Sequence, residues 1–290
     1  MTKKTVVFKT YYRLTKPGII YGNLMFGAAG FLLAANGHIK WGLLAAALGG
    51  LALVIASACV FNNVIDRNVD SRMARTKKRA LVAKTVSVPS ALIYGSILGI
   101  AGFSLLVLFT NWLTVLIILT GFIVYVGVYA AAKRWNEQGT LVGSIAGSVP
   151  PVAGYCAVSD KFDGGALLLF LILTFWQMPH FYAIATYRLK DYREAGLPVL
   201  TVRRGIKAAK LQIVLYIIGF IIVSILLSVY GYTGYVYAVV MLGMGLAWLR
   251  LGLKGFRTDD DNKWGKQVFL FSLLITVVFS VLLAVNAWVP

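Results

Sequence analysis

The sequence predicts an all-α integral membrane protein with nine transmembrane helices, and three observations support this fold class. First, 59% of the 290 residues are hydrophobic and only 13% are charged, with a mean hydropathy of +0.80. A soluble domain is about half apolar and about a quarter charged. Second, apolar runs long enough to cross a hydrocarbon core of about 30 Å recur between short polar breaks. Third, the basic residues fall almost entirely on one side of these runs.

The apolar runs define the nine spans in chain order. They cover residues 18–36, 41–62, 88–109, 112–131, 139–158, 165–187, 208–230, 232–249 and 267–289. The first run is too long for a signal-peptide core and has no convincing small-residue cleavage site, so we expect it to be retained. We expect a single membrane-embedded domain over residues 1–290.

The distribution of basic residues predicts the orientation in the membrane. With nine spans, 26 of the 28 Lys and Arg residues lie on the side of the N-terminus, and the opposite side has only Lys40 and Lys161. The positive-inside rule therefore places the N-terminus in the cytoplasm. A net charge of +18 would suggest a nucleic-acid partner in a soluble chain. Here membrane topology explains it, and we expect no nucleic-acid partner.

Glycines and prolines within the spans predict close helix packing and one break. Gly95 with Gly99, and Gly143 with Gly147, have the spacing that lets helix backbones approach. The Pro150–Pro151 pair follows shortly and predicts a break inside the fifth span. Broken helices at membrane depth are tolerated where they line a cavity, so the break marks either a pocket wall or a packing kink.

The end of the second span has an arrangement of polar residues that suits a metal and a phosphate. Asn62, Asp66 and Asp70 are four residues apart and form one stripe if the helix continues beyond the membrane core. Carboxylate and amide oxygens suit a hard cation such as Mg²⁺. The cations that follow are Arg72, Arg75, Lys77, Lys78 and Arg79. They suit a diphosphate, while the simpler alternative is an acidic helix end before a positive-inside loop.

Two further clusters are expected at the same membrane face. Residues 187–198 follow the sixth span and place Asp191 and Glu194 among bases. Asp191 is the better metal candidate, and Glu194 is as readily a surface ion-pair partner. Lys133 and Arg134 end the fourth span, where the positive-inside rule alone accounts for them. Facing acid and base loops would be able to hold one diphosphate between them.

An ionisable side chain within the sixth span is a third candidate feature. His180 lies in the run Trp176-Gln-Met-Pro-His180-Phe. An intramembrane ionisable group is a functional hypothesis by default, and imidazole is a common haem ligand. The alternatives are a pocket contact, iron ligation or a neutral histidine bonded to a neighbouring helix.

These residues carry a family resemblance. The pattern Asn62-x3-Asp66-x3-Asp70-x2-Met73-x-Arg75-Thr76-x2-Arg79 resembles the signature of the intramembrane prenyltransferase (UbiA) superfamily. Further segments are similar to its haem O synthase branch: Lys16-Pro17-Gly18 with Asn23, residues 125–134, Pro150-Pro151-x2-Gly154, residues 176–180 and residues 190–192. This second similarity extends along nearly the whole chain and is closest to bacterial members.

The resemblance implies a fold, a reaction and a location. The fold is nine helices around a central cavity that opens to the cytoplasm and laterally to membrane lipid. The reaction joins farnesyl diphosphate to a vinyl group of haem B, with water and Mg²⁺, and yields haem O and diphosphate. The location is the bacterial inner membrane, with the active site toward the cytoplasm and a haem A synthase or terminal oxidase as partner.

The resemblance also implies roles at individual positions. Asp66, Asp70 and Asp191 would be catalytic, and with Asn62 they would be the metal ligands. The residues that would bind diphosphate are Asn62, Arg75, Arg79, Lys133 and Arg134, and His180 would contact the haem. The chain departs from the superfamily at Ala195, where many members have a second aspartate, and at Ala80, where a proline often stands. The first of these departures would place more of the metal site on the first motif.

Two other functions fit parts of the sequence. A prenyltransferase could instead use a quinone precursor such as 4-hydroxybenzoate. A transporter or a non-catalytic oxidase-assembly protein would need polar residues along a path across the membrane. Eight of the ten acids fall on the predicted cytoplasmic side, which favours one-sided chemistry over alternating access.

Overall fold

The computed structural model describes residues 3–289, and within that range every regular element is helical. The α-helices are α1 Lys3–Leu14, α2 Pro17–Ala35, α3 Trp41–Asp70, α4 Val88–Phe109, α5 Trp112–Ile123, α6 Ala130–Trp135, α7 Gly139–Gly147, α8 Val149–Ser159, α9 Gly164–Tyr187, α10 Leu189–Glu194, α11 Leu200–Arg203, α12 Gly205–Val229, α13 Tyr235–Lys254 and α14 Asp261–Val285. A π-helical segment, Val124–Tyr129, joins α5 to α6, and single 3₁₀ turns follow α13 and α14.

The nine predicted spans are confirmed as nine membrane-length helical units among residues 3–289. Three of them extend by six residues or more beyond the predicted bounds. The second runs to Asp70 rather than to 62, the eighth runs to Arg257 rather than to 249, and the ninth begins at Asp261 rather than at 267. Each extension contains charged residues, so hydropathy does not detect it. In addition, α1 precedes the first span and lies outside the predicted set.

Exposed aromatic residues mark one rim of the helical bundle. Trp41, Trp112 and Tyr235 begin spans, and Tyr230 and Trp288 lie at span ends. These five side chains are all more than 60% exposed. Because consecutive spans alternate in direction, all five fall at the same side. Trp and Tyr concentrate at membrane–water interfaces, so this rim fits the interface opposite the acid and base clusters.

Glycines allow two pairs of helices to approach closely, as the sequence predicts for Gly95 and Gly99. In α4 these two residues face α3, where the Ser57 hydroxyl donates a 2.7 Å hydrogen bond to the Gly95 carbonyl. Between α2 and α8 the backbones themselves touch. A Cβ on Gly154 would collide with the Gly27 carbonyl oxygen, and a Cβ on Gly30 would collide with the Pro151 carbonyl.

We expect Gly154→Ala to destabilise the protein by about 2 kcal/mol, because an added methyl group must separate two backbones in a packed interface. For a domain of this size, that lowers the midpoint of thermal unfolding by roughly 3 °C. Thermal unfolding of the detergent-purified variant measures the effect. Gly22→Ala is the matched control, since a Cβ there has nothing within 4 Å. Equal midpoints for the two variants would contradict the close-approach argument.

The predicted break in the fifth span is confirmed between α7 and α8, at Ser148. Gln177 of α9 bonds to the broken turn. Its Nε2 donates to the Ser144 carbonyl at 3.1 Å and to the Ser148 hydroxyl at 3.0 Å. Because unsatisfied backbone groups are costly at membrane depth, this side chain stabilises the irregular turn. Gly147 leaves the space that the Gln177 amide occupies.

Candidate active site

The site begins at the extended end of α3, where Asp66 meets two cations from α6. The Lys133 ammonium donates to Asp66 Oδ2 at 2.5 Å, and both side chains are only 14% exposed. The Arg134 guanidinium lies 3.8 Å from Asp66 Oδ1 and donates to the Ile65 carbonyl at 2.6 Å. Two predicted diphosphate-binding cations therefore contact the central aspartate of the first motif.

The loop after α3 folds back on the last aspartate of the stripe. The Arg79 guanidinium donates to Asp70 Oδ2 at 2.6 Å, and Asp70 is buried. The buried Thr76 hydroxyl donates to the Asp70 carbonyl at 2.8 Å. These bonds fix Arg79 beside the acidic stripe. Arg75, from the same loop, is exposed.

Lys16 also belongs to this cluster, although its place in the sequence before the first span does not predict a role there. Its ammonium donates a 2.8 Å hydrogen bond to Asn62 Oδ1. The residue has a left-handed backbone (φ 52°, ψ 64°), which non-glycine residues adopt rarely and at a cost in free energy. Burial lowers the pKa of Lys16 to about 8, and the positive charge of Arg79 adds to this effect. The turn between α1 and α2 thus places a cation at the acidic stripe.

Two atoms of the stripe test whether it can hold a metal diphosphate. Asp66 Oδ1 and Asn62 Nδ2 are both buried without a hydrogen-bond partner. A buried carboxylate oxygen without a partner suits a cation, and a buried amide donor suits a phosphate oxygen. The donor set and its surrounding cations therefore fit Mg²⁺ with a diphosphate. The amide oxygen of Asn62, the atom predicted to bind the metal, is bonded to Lys16 in this structure, and its Nδ2 is the atom left without a partner.

The π-helical segment adds aromatic rings beside these charges. Tyr125 and Tyr129 stack with ring centroids 5.6 Å apart, and the Lys133 ammonium lies 4.9 Å from the Tyr129 ring centroid. A π-helical insertion shifts the residues that follow it around the helix axis. Periodicity assumes a regular α-helix, so it cannot predict this placement. The two stacked rings therefore lie next to the Lys133–Asp66 pair.

The second cluster lies on α10, where Asp191 pairs with Arg188 at 3.6 Å. Glu194 is 4.0 Å from the exposed Lys190, as expected for a surface ion-pair partner. Burial raises the pKa of Tyr192, and the nearby positive charge of Arg75 opposes that shift. Arg75 and Tyr192 therefore bring the two motifs within electrostatic reach. In the described part of the chain, no three acidic, His or Cys side chains are grouped tightly enough to share a metal.

His180 lies apart from these charges, between α9 and α14. Its Nδ1 is 2.8 Å from the Ser272 hydroxyl, and that hydroxyl donates to the Phe269 carbonyl at 2.6 Å. Because the Ser272 proton is committed to Phe269, the network assigns the hydrogen to His180 Nδ1 and leaves a lone pair on Nε2. Aromatic rings of Trp176 and Phe269 flank the imidazole at 4.8 and 5.0 Å.

The fold and the site define a membrane prenyltransferase class, and residues 23–287 match the UbiA prenyltransferase family. The chain belongs to this family. It is 52% identical over 285 residues to protoheme IX farnesyltransferase 2 of Chromobacterium violaceum. The aligned region covers 98% of this chain and 94% of the relative.

Solved structures share the fold at low sequence identity. A structure of digeranylgeranylglyceryl phosphate synthase superposes with a TM-score of 0.81 at 18% identity, covering 97% of this chain and 98% of the other. A UbiA homologue from Archaeoglobus fulgidus, bound to DMAPP and Mg²⁺, superposes with a TM-score of 0.73 at 16% identity, covering 95% and 99%. These similarities confirm the predicted all-helical membrane fold.

Proposed function

We propose that this protein transfers the farnesyl group of farnesyl diphosphate to a vinyl carbon of haem B and, with water, forms haem O and diphosphate. The observation that carries the proposal is the buried Asp66 Oδ1, which lacks a hydrogen-bond partner within a ring of cations. Such a site suits a substrate that brings both a divalent metal and a multiply charged anion. The 52% identity to a relative named for this activity supports the choice of acceptor.

The donor half of the reaction uses the cluster at the end of α3. Mg²⁺, when bound, supplies Lewis-acid stabilisation of the diphosphate leaving group. Asp66 and Asp70 would bind it from the first motif and Asp191 from the second, without all three carboxylates sharing one ion. Arg79, Lys133 and Arg134 would neutralise the charge that develops as the bond breaks. The structure of the A. fulgidus homologue bound to DMAPP and Mg²⁺ supports this use of a metal.

The bond changes balance without a covalent enzyme intermediate. The bond between farnesyl C1 and the diphosphate oxygen breaks, and the electron pair leaves with diphosphate. The π electrons of the vinyl group form the new carbon–carbon bond to C1. Water then adds to the cationic carbon beside the porphyrin and releases one proton. The stacked Tyr125 and Tyr129 rings would shield the allylic cation while it exists.

The decisive test is turnover of the purified protein with farnesyl diphosphate and either haem B or 4-hydroxybenzoate. We expect a magnesium-dependent product with the mass of haem O, and no prenylated 4-hydroxybenzoate. The reverse acceptor preference would establish the quinone-precursor alternative. Absence of product from both acceptors, in protein that retains its fold, would contradict enzymatic prenyl transfer to either.

Lys16 provides a prediction on the donor side. We expect Lys16→Gln to raise the KM for farnesyl diphosphate about tenfold. That factor corresponds to the loss of one hydrogen bond to a charged group. The KM for haem B should stay within about twofold of the parent value, since Lys16 adjoins Asn62 rather than His180. Lys9→Gln removes an exposed cation from α1 and is the matched control. An unchanged KM for farnesyl diphosphate in Lys16→Gln would exclude Lys16 from the donor site.

We also propose that the protein lies in a bacterial inner membrane, with its N-terminus and active site in the cytoplasm. The 26 to 2 distribution of basic residues supports this orientation. A haem A synthase or a terminal oxidase would then receive the product. Reporter fusions after residues 37 and 134 test the topology, and we expect the first on the outer side and the second in the cytoplasm.

A further inference from the structure

A cleft near the end of α9 lies outside the cluster at α3. It has a volume of about 480 Å³, within the range of about 300–1,000 Å³ found for small-molecule sites. Its lining residues are Tyr187, Arg188, Lys190, Asp191, Asn262, Lys266 and Phe269. The cleft therefore combines two aromatic rings with a set of charged side chains.

The charges of the cleft suit a ligand with two negative groups. Arg188, Lys190 and Lys266 contribute three positive charges, and Asp191 contributes one negative charge. The Arg188–Asp191 pair at 3.6 Å largely cancels itself, which leaves Lys190 and Lys266 to attract anions. The Lys190 side chain is 89% exposed, and its ammonium is 4.0 Å from the nearest Glu194 carboxylate oxygen. This ammonium is therefore available to bind an anion.

The aromatic wall connects this cleft to His180. Tyr187 is two helical turns beyond His180, on the same face of α9 and about 10 Å further along its axis. The Phe269 ring lies between them, with centroid distances of 5.0 Å to His180 and 5.7 Å to Tyr187. Tyr187 and Phe269 also line the cleft, so a flat aromatic ligand packed against them would present the groups on its edge to the two lysines.

We propose that this cleft binds the two propionate carboxylates of the haem acceptor. The inference rests on the proposed function, because it takes haem B as the acceptor. Asp191 belongs to both sites, as a proposed metal ligand and as part of the cleft wall. Lys190 and Lys266 are assigned to the acceptor, since the cations that contact Asn62, Asp66 and Asp70 come from other elements. Carboxylate recognition here would also fix which edge of the porphyrin faces the membrane interior.

The test compares haem B with its dimethyl ester, in which both propionates are uncharged. At saturating farnesyl diphosphate, we expect the double variant Lys190→Gln/Lys266→Gln to raise the KM for haem B about tenfold. The KM for the dimethyl ester should stay at the parent value, and Lys266→Arg should retain most of the parent affinity for haem B. Lys263→Gln, an exposed cation of α14 outside the cleft, is the control.

Each alternative outcome has a separate meaning. An equal rise in KM for both acceptors would overturn carboxylate recognition, as would an unchanged KM for haem B. A rise in the KM for farnesyl diphosphate alone would assign the cleft to the donor. Failure of the parent protein to prenylate haem B would instead overturn the proposed function. Comparing the equilibrium affinities for haem B and its dimethyl ester would then show whether the cleft binds carboxylates.

Discussion

Asp66→Asn is expected to lower kcat for farnesyl transfer by about 10³-fold, the magnitude found when a group that stabilises transition-state charge is removed. Asn keeps the size of Asp66 and can accept the Lys133 hydrogen bond, but it removes the negative charge that a metal requires. Asp66 Oδ1 accepts no hydrogen bond and has the Arg134 guanidinium at 3.8 Å, whereas Oδ2 is bonded to Lys133, so Oδ1 is the oxygen open to a metal. Turnover at saturating magnesium and farnesyl diphosphate measures the effect.

The control for this prediction is Glu194→Gln, which removes an acid from the second cluster at a surface ion pair. It should retain turnover within about twofold of the parent, in line with the small energies of exposed pairs. Asp70→Asn is expected to behave like Asp66→Asn, because Asp70 is buried on the same stripe. Near-normal turnover of both aspartate variants at saturating magnesium would refute the metal diphosphate site.

His180→Ala is expected to weaken haem binding about 100-fold, the upper end of losses seen when the groups around a metal centre are altered. The network through Ser272 places the proton on Nδ1 and a lone pair on Nε2 of His180, the nitrogen that would contact the acceptor. The KM for farnesyl diphosphate should change by less than about twofold, since His180 lies outside the charged cluster. Titration of the purified variant with haem B, followed by absorbance, measures the affinity.

Ser272→Ala separates the orienting role of the hydroxyl from the presence of the imidazole. We expect about tenfold weaker haem binding, because the proton on Nδ1 is no longer fixed by a partner. Ser272→Thr, which keeps the hydroxyl, should restore the parent absorbance spectrum of the complex.

Unchanged haem titration in His180→Ala would exclude this histidine from the acceptor site.

Much of the fold was predictable because the helical spans depend on patterns of hydropathy and charge between residues that are close in the sequence. The third span was predicted at 88–109 and observed as Val88–Phe109. The break at Pro150–Pro151 was predicted because proline cannot donate the backbone hydrogen bond that an interior helix position requires. The helix ends were less accurate where polar turns extend beyond the membrane core, as at Asp70.

The sequence by itself also indicated most of the charges of the candidate site, although not Lys16. A stripe of Asn62, Asp66 and Asp70 follows from helical spacing once the helix continues to Asp70. The spacing is a local property, and a local property can be read from one stretch of chain.

Only the tertiary structure decided which partner each of these groups meets. Lys16 is 46 residues from Asn62 and Lys133 is 67 residues from Asp66, yet each pair is in hydrogen-bond contact. The Ser272 hydroxyl that orients His180 lies 92 residues away. No periodicity relates positions so far apart, since their proximity results from the packing of α2, α6 and α14 around α3 and α9. The chain therefore specified its acids and cations, and the packing of its helices specified their pairing.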